Sequence, residues 1–320
     1  MYDAQHIWIG TDGGGIEVFN ISTHAFESVM YPNENSPSIA SSAVLSMQDD
    51  GRGNIWIAMF GGGVDIYNKS NRTIQHYTSN ENDEYALSSS GIRCIYPDRN
   101  GNIWVGTNGE GLNVYFLSTS TIGHLRRSER PGVGENTLMS SKILSVMEDK
   151  NGLLWIGTSG GGLSSLDRKR GIYTHHPELS TSTNNSVLCL LQSSDGSIWA
   201  GTWGEGLNRK NPEGKITSYT PDNQLKNGAI LCIAEEPSSG AIWFGTFGAG
   251  LYRLNPKTDS LREFTNETDS LSSNYIYSIY FDKSGTLWVG TRAGGVMRYN
   301  ATEGKFISYR HDDKNKKSLS

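Results

Sequence analysis

"IWIGTDGGG", residues 7–15, is an apolar run closed by Gly-Thr and a glycine cluster, and the phrase returns six more times. The copies read "IWIAMFGGG" (55–63), "IWVGTNGEG" (103–111), "LWIGTSGGG" (154–162), "IWAGTWGEG" (198–206), "IWFGTFGAG" (242–250) and "LWVGTRAGG" (287–295). A single copy could pass for a phosphate cradle, because glycines follow a strand. Such a cradle needs a helix opening straight after the glycines, to aim N–H groups at the anion. Here "IEVFN" follows at 16–20, another strand-like run, and the same holds for the other copies. The phrase is architectural.

Its tryptophans, Trp8, Trp56, Trp104, Trp155, Trp199, Trp243 and Trp288, are spaced by 48, 48, 51, 44, 44 and 45 residues. Periods of that size belong to propeller blades or to helical repeats. The second repeat decides between them. "AVLSMQDD" (43–50), "IWIAMF" (55–60), "VDIYN" (64–68) and "TIQHYT" (73–78) are four short runs joined by Gly, Asn, Asp and Ser turns. No segment keeps a helical period for ten residues. The first run of each repeat is apolar on both faces ("GIRCIY", "KILSVM", "SVLCLL"), as expected for an inner strand covered on both sides. The sequence thus predicts an all-β, seven-bladed propeller of four-stranded antiparallel blades. The repeats lie near 1–31, 43–78, 91–127, 141–176, 186–220, 228–265 and 274–310 of a single domain.

Only six inner strands are present, because residue 5 already starts the second strand of its blade. The first strand of blade one is missing from this chain. "KKSLS" (316–320) matches "TDSLSS" (268–273), which precedes an inner strand. The expectation is a fragment of a larger multidomain protein that continues beyond Ser320.

Composition narrows the function. Glycine is high, at 38 of 320 residues, and the turns of the repeat absorb it. A net charge of −5 with no long basic run gives no electrostatic footprint for nucleic acid. No run of about 18 apolar residues offers a membrane contact by this chain itself. Cys94, Cys189 and Cys232 fall at one place in the inner strand, where Ser46, Ser145 and Ser278 stand in other repeats. Exchange of Ser with Cys predicts a small buried slot, not a disulfide or a metal site. Asp98, Asp149 and Asp282, in the turns before Trp, read as turn formers. No catalytic set, metal site or cofactor site emerges.

The repeats resemble the two-component regulator propeller family, through "GNIWVGTNGEGLNVY" (101–115), "GAIWFGTFGAGLYRLN" (240–255) and "GTLWVGTRAGGVMRYN" (285–300). Ala58-Met59 in place of Gly-Thr, and Ala293 in place of Gly, depart from the pattern. The resemblance implies a periplasmic sensor region of a hybrid histidine kinase and response regulator held in the inner membrane. It implies detection of oligosaccharides to control polysaccharide-utilisation genes. It also implies an adjacent propeller or immunoglobulin-like domain on the same polypeptide, and a homodimer. Kinase activity and phosphorelay chemistry would lie outside this chain. A protein-interaction scaffold, or a propeller polysaccharide lyase or hydrolase, remains as an alternative.

One letter varies where its neighbours repeat, the residue between Gly-Thr and the glycines. It is Asp12, Phe60, Asn108, Ser159, Trp203, Phe247 and Arg292 in turn. Variation on a rigid scaffold is where a binding surface is written. Flat rings with acid, amide and base suit a sugar, while neutral tolerance and a protein-docking face stay open. Arg93 interrupts an apolar inner strand and is expected to face the central channel, where an unpaired charge calls for a carboxylate or ligand partner.

Overall fold

Short β-branched and aromatic runs, each cut by a turn that demands positive φ, leave the chain no room for helices. In a computed structural model, residues 5–30, 38–127, 136–180, 186–220, 225, 228–312, 314 and 318–319 are described. Among them the one helical element is a three-residue 3-10 turn, Pro177–Leu179. The strands form seven separate antiparallel sheets, six of four strands and one of three.

Blade four shows the plan: Ile143–Glu148, Leu154–Thr158, Leu163–Asp167 and Ile172–His175 lie side by side in chain order. The inner strands of blades two to seven begin at Val44, Ile92, Ile143, Val187, Ile230 and Ile276. Blade one contains His6–Gly10, Ile16–Asn20 and Ala25–Met30, and begins with a second strand, as the sequence predicts. The ring nevertheless closes by packing. Ile7 and Phe19 of blade one share a buried cluster with Trp288 and Val296 of blade seven. Phe19 lies 5.4 Å from the Trp288 ring and 4.8 Å from the Tyr309 ring.

The core sits in the wedges between blades. Trp199 and Trp243 are fully buried there, and rings of this size each remove about 150–250 Å² from water. The inner strands are less covered than their apolar runs predict, because one side borders the central channel. All six carry a bulge at their second residue. A bulge leaves one residue unmatched and re-aims its side chain. The residues thrown out this way are Leu45, Arg93, Leu144, Leu188, Leu231 and Tyr277.

The Ser/Cys slot is as small as the exchange predicts. Cys94, Cys189 and Cys232 pair with Gly106, Gly201 and Gly245 of the second strand. A Cβ on Gly106 would lie 2.6 Å from Cys94 Sγ and 2.8 Å from Ile143 of the next blade. Ser145 Oγ donates to the Val187 carbonyl at 3.1 Å, tying blade four to blade five. Burial pushes the Cys94 and Cys232 thiols up to about 12. They are packing groups and stay protonated.

Candidate functional site

At one end of the channel the glycine turns lock the backbone. Thr107 both receives and returns the turn: its N–H and its hydroxyl donate to the Gly111 carbonyl at 3.1 and 2.8 Å, while its Oγ1 accepts the Glu110 N–H at 3.0 Å. Thr158, Thr202, Thr246 and Thr291 close their turns onto Gly162, Gly206, Gly250 and Gly295 in the same way. The second glycine of each turn is obligatory. Gly111 has φ 83°, and a Cβ there would meet the Leu125 carbonyl oxygen at 2.4 Å. Ala293 keeps the left-handed conformation at φ 57°, so the seventh turn has the shape of the others despite its substitution.

The variable residue is pinned through its N–H. Phe60, Asn108, Ser159, Trp203, Phe247 and Arg292 donate to Ala43, Gly91, Lys142, Ser186, Ala229 and Tyr275, each just before the inner strand of the same blade. Asp12, Asn108, Trp203 and Phe247 also form bridges to the start of the following blade's inner strand. Backbone position is therefore the same around the ring, and only the side chain differs. The seven predicted positions surround one mouth of the channel.

The structure brings some of them into contact. Trp203 and Phe247 rings are 5.5 Å apart, and Tyr275 meets Phe247 edge-on at 5.0 Å. Trp203 and Tyr275 remain 42% and 39% exposed, so this aromatic arc over blades five to seven presents ring surface to solvent. On the other side, the Arg93 guanidinium lies 5.7 Å from the centre of the Phe60 ring. Arg93 is exposed at the bulge, and its recorded neighbour is an aromatic face in place of the expected carboxylate. Asp12 and Arg292 add an acid and a base from adjacent blades, and Asn108 and Ser159 add neutral polar groups. Tyr275 is not one of the seven variable letters. Aligning the residue before each inner strand (Ala43, Gly91, Lys142, Ser186, Ala229, Tyr275) singles it out as the bulky one.

Loops over this mouth are held by buried polar groups of the third strands. Asp65 accepts the Ala40 N–H at 2.8 Å, and Asn113 accepts the Ser88 N–H at 2.9 Å. Asn208 donates to the Leu179 carbonyl at 3.2 Å. The loops at 31–42 and 127–141 lie partly outside the described residues.

At the opposite end of the channel three blades repeat the same side chains, with Ser193 and Glu236 taking the acceptor's place for Trp199 and Trp243. Asp98 accepts from the N–H groups of Asn100 and Asn102 at 2.9 Å and from Trp104 Nε1 at 3.1 Å. Asp149 and Asp282 do the same for Trp155 and Trp288, both at 2.9 Å. Burial alone would raise the Asp98 carboxyl, but bonds from Trp104 and Asn102, with Arg168 beside it, hold it below the ordinary value. These carboxylates are saturated turn formers. Among the described residues no group of three or more His, Cys, Asp or Glu is arranged to hold a metal ion. His176 stacks on Trp155 at 4.5 Å and contacts Ser165 and Glu178; its burial lowers its pKa despite that carboxylate. It belongs to the rim packing of blade four.

Comparison with known proteins bears on the repeats. The family model described as "Two component regulator propeller" matches residues 86–109, 137–160, 181–204 and 270–293. Each match runs from the loop before an inner strand to the turn around the variable residue. No curated protein matches the chain. Among solved structures, the extracellular domain of a putative hybrid two-component system from B. thetaiotaomicron is 23% identical, with a TM-score of 0.72 over 87% of this chain. A second such domain from the same organism is 22% identical, with a TM-score of 0.56 over 97% of this chain. This chain spans 36% and 45% of those two proteins' lengths. Virginiamycin B lyase from Staphylococcus aureus is 16% identical, with a TM-score of 0.67, over 90% of this chain and 89% of its own. Identities this low establish a shared fold only. Four of its blades thus carry the two-component regulator propeller repeat.

Proposed function

We propose that this propeller is a ligand-sensing domain in the extracytoplasmic region of a hybrid two-component regulator, and that it takes an oligosaccharide at the mouth ringed by the variable residues. The observation that carries this reading is the Trp203–Phe247–Tyr275 arc, exposed on a backbone that the turns fix in place. Ring faces pack on the apolar faces of sugars, while Asp12, Asn108, Ser159 and Arg292 are suited to hydroxyl groups. The wider consequence is control of polysaccharide-utilisation genes through kinase and transcription modules elsewhere in such a regulator. Its partners in that setting are a neighbouring propeller or immunoglobulin-like domain of the same polypeptide, and a second copy in a homodimer. The proposed compartment is the periplasm.

We read the mouth as a binding site, without catalysis. His76, His124 and His175 lie on outer strands, bonded to Asp65, Asn113 and Ser164, and so stand at the rim. The acids of the turns are committed to Trp and backbone donors at the other end. A thermal-shift screen of the folded chain against a panel of plant and host oligosaccharides tests the proposal. At least one glycan class should raise the melting temperature in a saturable way. A folded chain that responds to none of them overturns it.

A further inference from the structure

The end of the channel opposite the mouth departs from its repeat in the wedge between blades six and seven. Three third strands carry an arginine opposite the spine tryptophan: Arg209 opposite Trp199, Arg253 opposite Trp243 and Arg298 opposite Trp288. In blades five and six the guanidinium lies over that ring, 5.2 and 5.8 Å from its centre. Each also pairs with an acid of its own turn, Arg209 with Asp195 at 2.8 Å and Arg253 with Glu236 at 2.7 Å. Arg298 has no such acid. Ser284 stands where blade five has Asp195, and the Asp282 carboxylate is taken by the Ser284 and Thr286 N–H groups and by Trp288 Nε1. Among the described residues Arg298 has no hydrogen-bond or ion-pair partner.

The wedge beside it is open. Between blades three and four, Arg168 follows the third strand, crosses to Asp98 and Glu148, and lies 5.8 Å from the centre of the Trp104 ring. Between blades five and six, Pro256 holds that place, and its carbonyl accepts Arg209 Nη1 at 3.3 Å. Blade seven has Ala301 there, and Phe281 where blade four has Glu148. A cleft of about 360 Å³ remains, lined by Glu236, Phe281, Ser284, Thr286, Arg298 and Tyr299. Trp243 borders it too, with its ring 5.6 Å from Tyr299 and 6.4 Å from Phe281.

The charges at this cleft leave one sign over. Glu236 Oε2 accepts Arg253 Nε at 3.0 Å and Nη2 at 2.7 Å, so these two groups neutralise each other. Burial alone would raise the Glu236 carboxyl, but bonds from Ser239 and Arg253 hold it below the ordinary value and keep it ionised. Its bonds all fall on Oε2, which leaves Oε1 open to a donor. Arg298 is the cation without a counterion. A guanidinium pairs best with a planar carboxylate, through two parallel bonds.

We infer that the cleft between blades six and seven is a second ligand site, independent of the mouth, for a hydroxyaryl carboxylate. Its carboxylate pairs with Arg298, its ring lies against Tyr299 and Phe281, and its hydroxyl donates to Glu236 Oε1. An inorganic anion would leave the aromatic lining unused, and an uncharged phenol would leave Arg298 unpaired.

Calorimetric titration of the whole 320-residue chain with 4-hydroxyphenylacetate tests this. Saturable one-to-one binding is expected. Arg298→Gln should weaken it by about tenfold or more yet melt at the wild-type temperature, because Arg298 bonds nothing in the fold. The uncharged amide of the same acid, and sulfate, should each bind at least about tenfold more weakly. Ala301→Trp, which fills the gap that Arg168 fills in blade four, should block binding, while Trp203→Ala at the mouth should leave it unchanged. No saturable binding by a chain shown to be folded overturns the inference. So does equal affinity in Arg298→Gln, or sulfate or the amide binding as tightly as the acid.

Discussion

The two ends of the channel are made from the same repeats and use them in opposite ways. At the turn end, side chain and backbone repeat together: Asp98, Asp149 and Asp282 each hold a hairpin and a tryptophan. At the mouth, the backbone repeats through Thr and glycine, while the pinned residue runs from Asp12 to Trp203 to Arg292. Conformation is enforced at both ends, chemistry at only one. An end where buried carboxylates hold hairpins and tryptophans, and where blades bond to their neighbours, serves stability. An end whose side chains differ on a fixed frame is available to a ligand.

This contrast makes graded predictions. The largest loss of stability should come from the spine between the ends. A Cβ on Gly157 would lie 2.2 Å from Ser145 Oγ and 2.7 Å from the Val187 carbonyl oxygen, so Gly157→Val must push two blades apart. Denaturant unfolding should show a loss of roughly 3 kcal/mol or more. An unchanged midpoint would mean that the blades do not interlock as described.

At the turn end, Asp282→Ala removes the acceptor of the Ser284 and Thr286 N–H groups and of Trp288 Nε1. The expected cost is about 2–3 kcal/mol, because buried donors are left unmatched. The pH dependence has a definite sign. Burial opposes the charged Asp282 carboxylate, but bonds from Ser284 and Trp288 outweigh it and bring its pKa below the ordinary 3.8. Its stabilisation is complete above 3.8 and fades as pH falls through the lower folded value, so mutant and wild type should converge in strong acid. A gap that stays constant with pH would remove ionisation from the account.

Much of this was legible in sequence because a repeat supplies its own controls. Seven copies of one phrase separated the fixed Trp, Gly and Thr from the free letter between them, and Ser/Cys exchange marked a slot that the structure fills with a neighbouring blade. The bulge at the second inner-strand residue was not legible. Leu45, Leu144, Leu188 and Leu231 look like core residues in an apolar run, and only the backbone register shows them leaving it. The same bulge turns Arg93 outward beside Phe60, where a carboxylate partner was expected. Tyr275 stands outside the variable letter because it precedes the strand and not the glycines. Its place in the aromatic arc depends on the bridge from Phe247, which joins blade six to the start of blade seven.

The smallest stability effect and the largest functional one should coincide at Trp203. It is exposed, its backbone is held independently of its ring, and Trp203→Ala should change stability by no more than roughly 0.5 kcal/mol. The most direct measurement is calorimetric titration of wild type and Trp203→Ala with a glycan that stabilises the wild type. The mouth-site account predicts at least about a tenfold weaker affinity in a variant that melts at the wild-type temperature. Equal affinity in the two proteins would contradict it and place the ligand elsewhere on the ring.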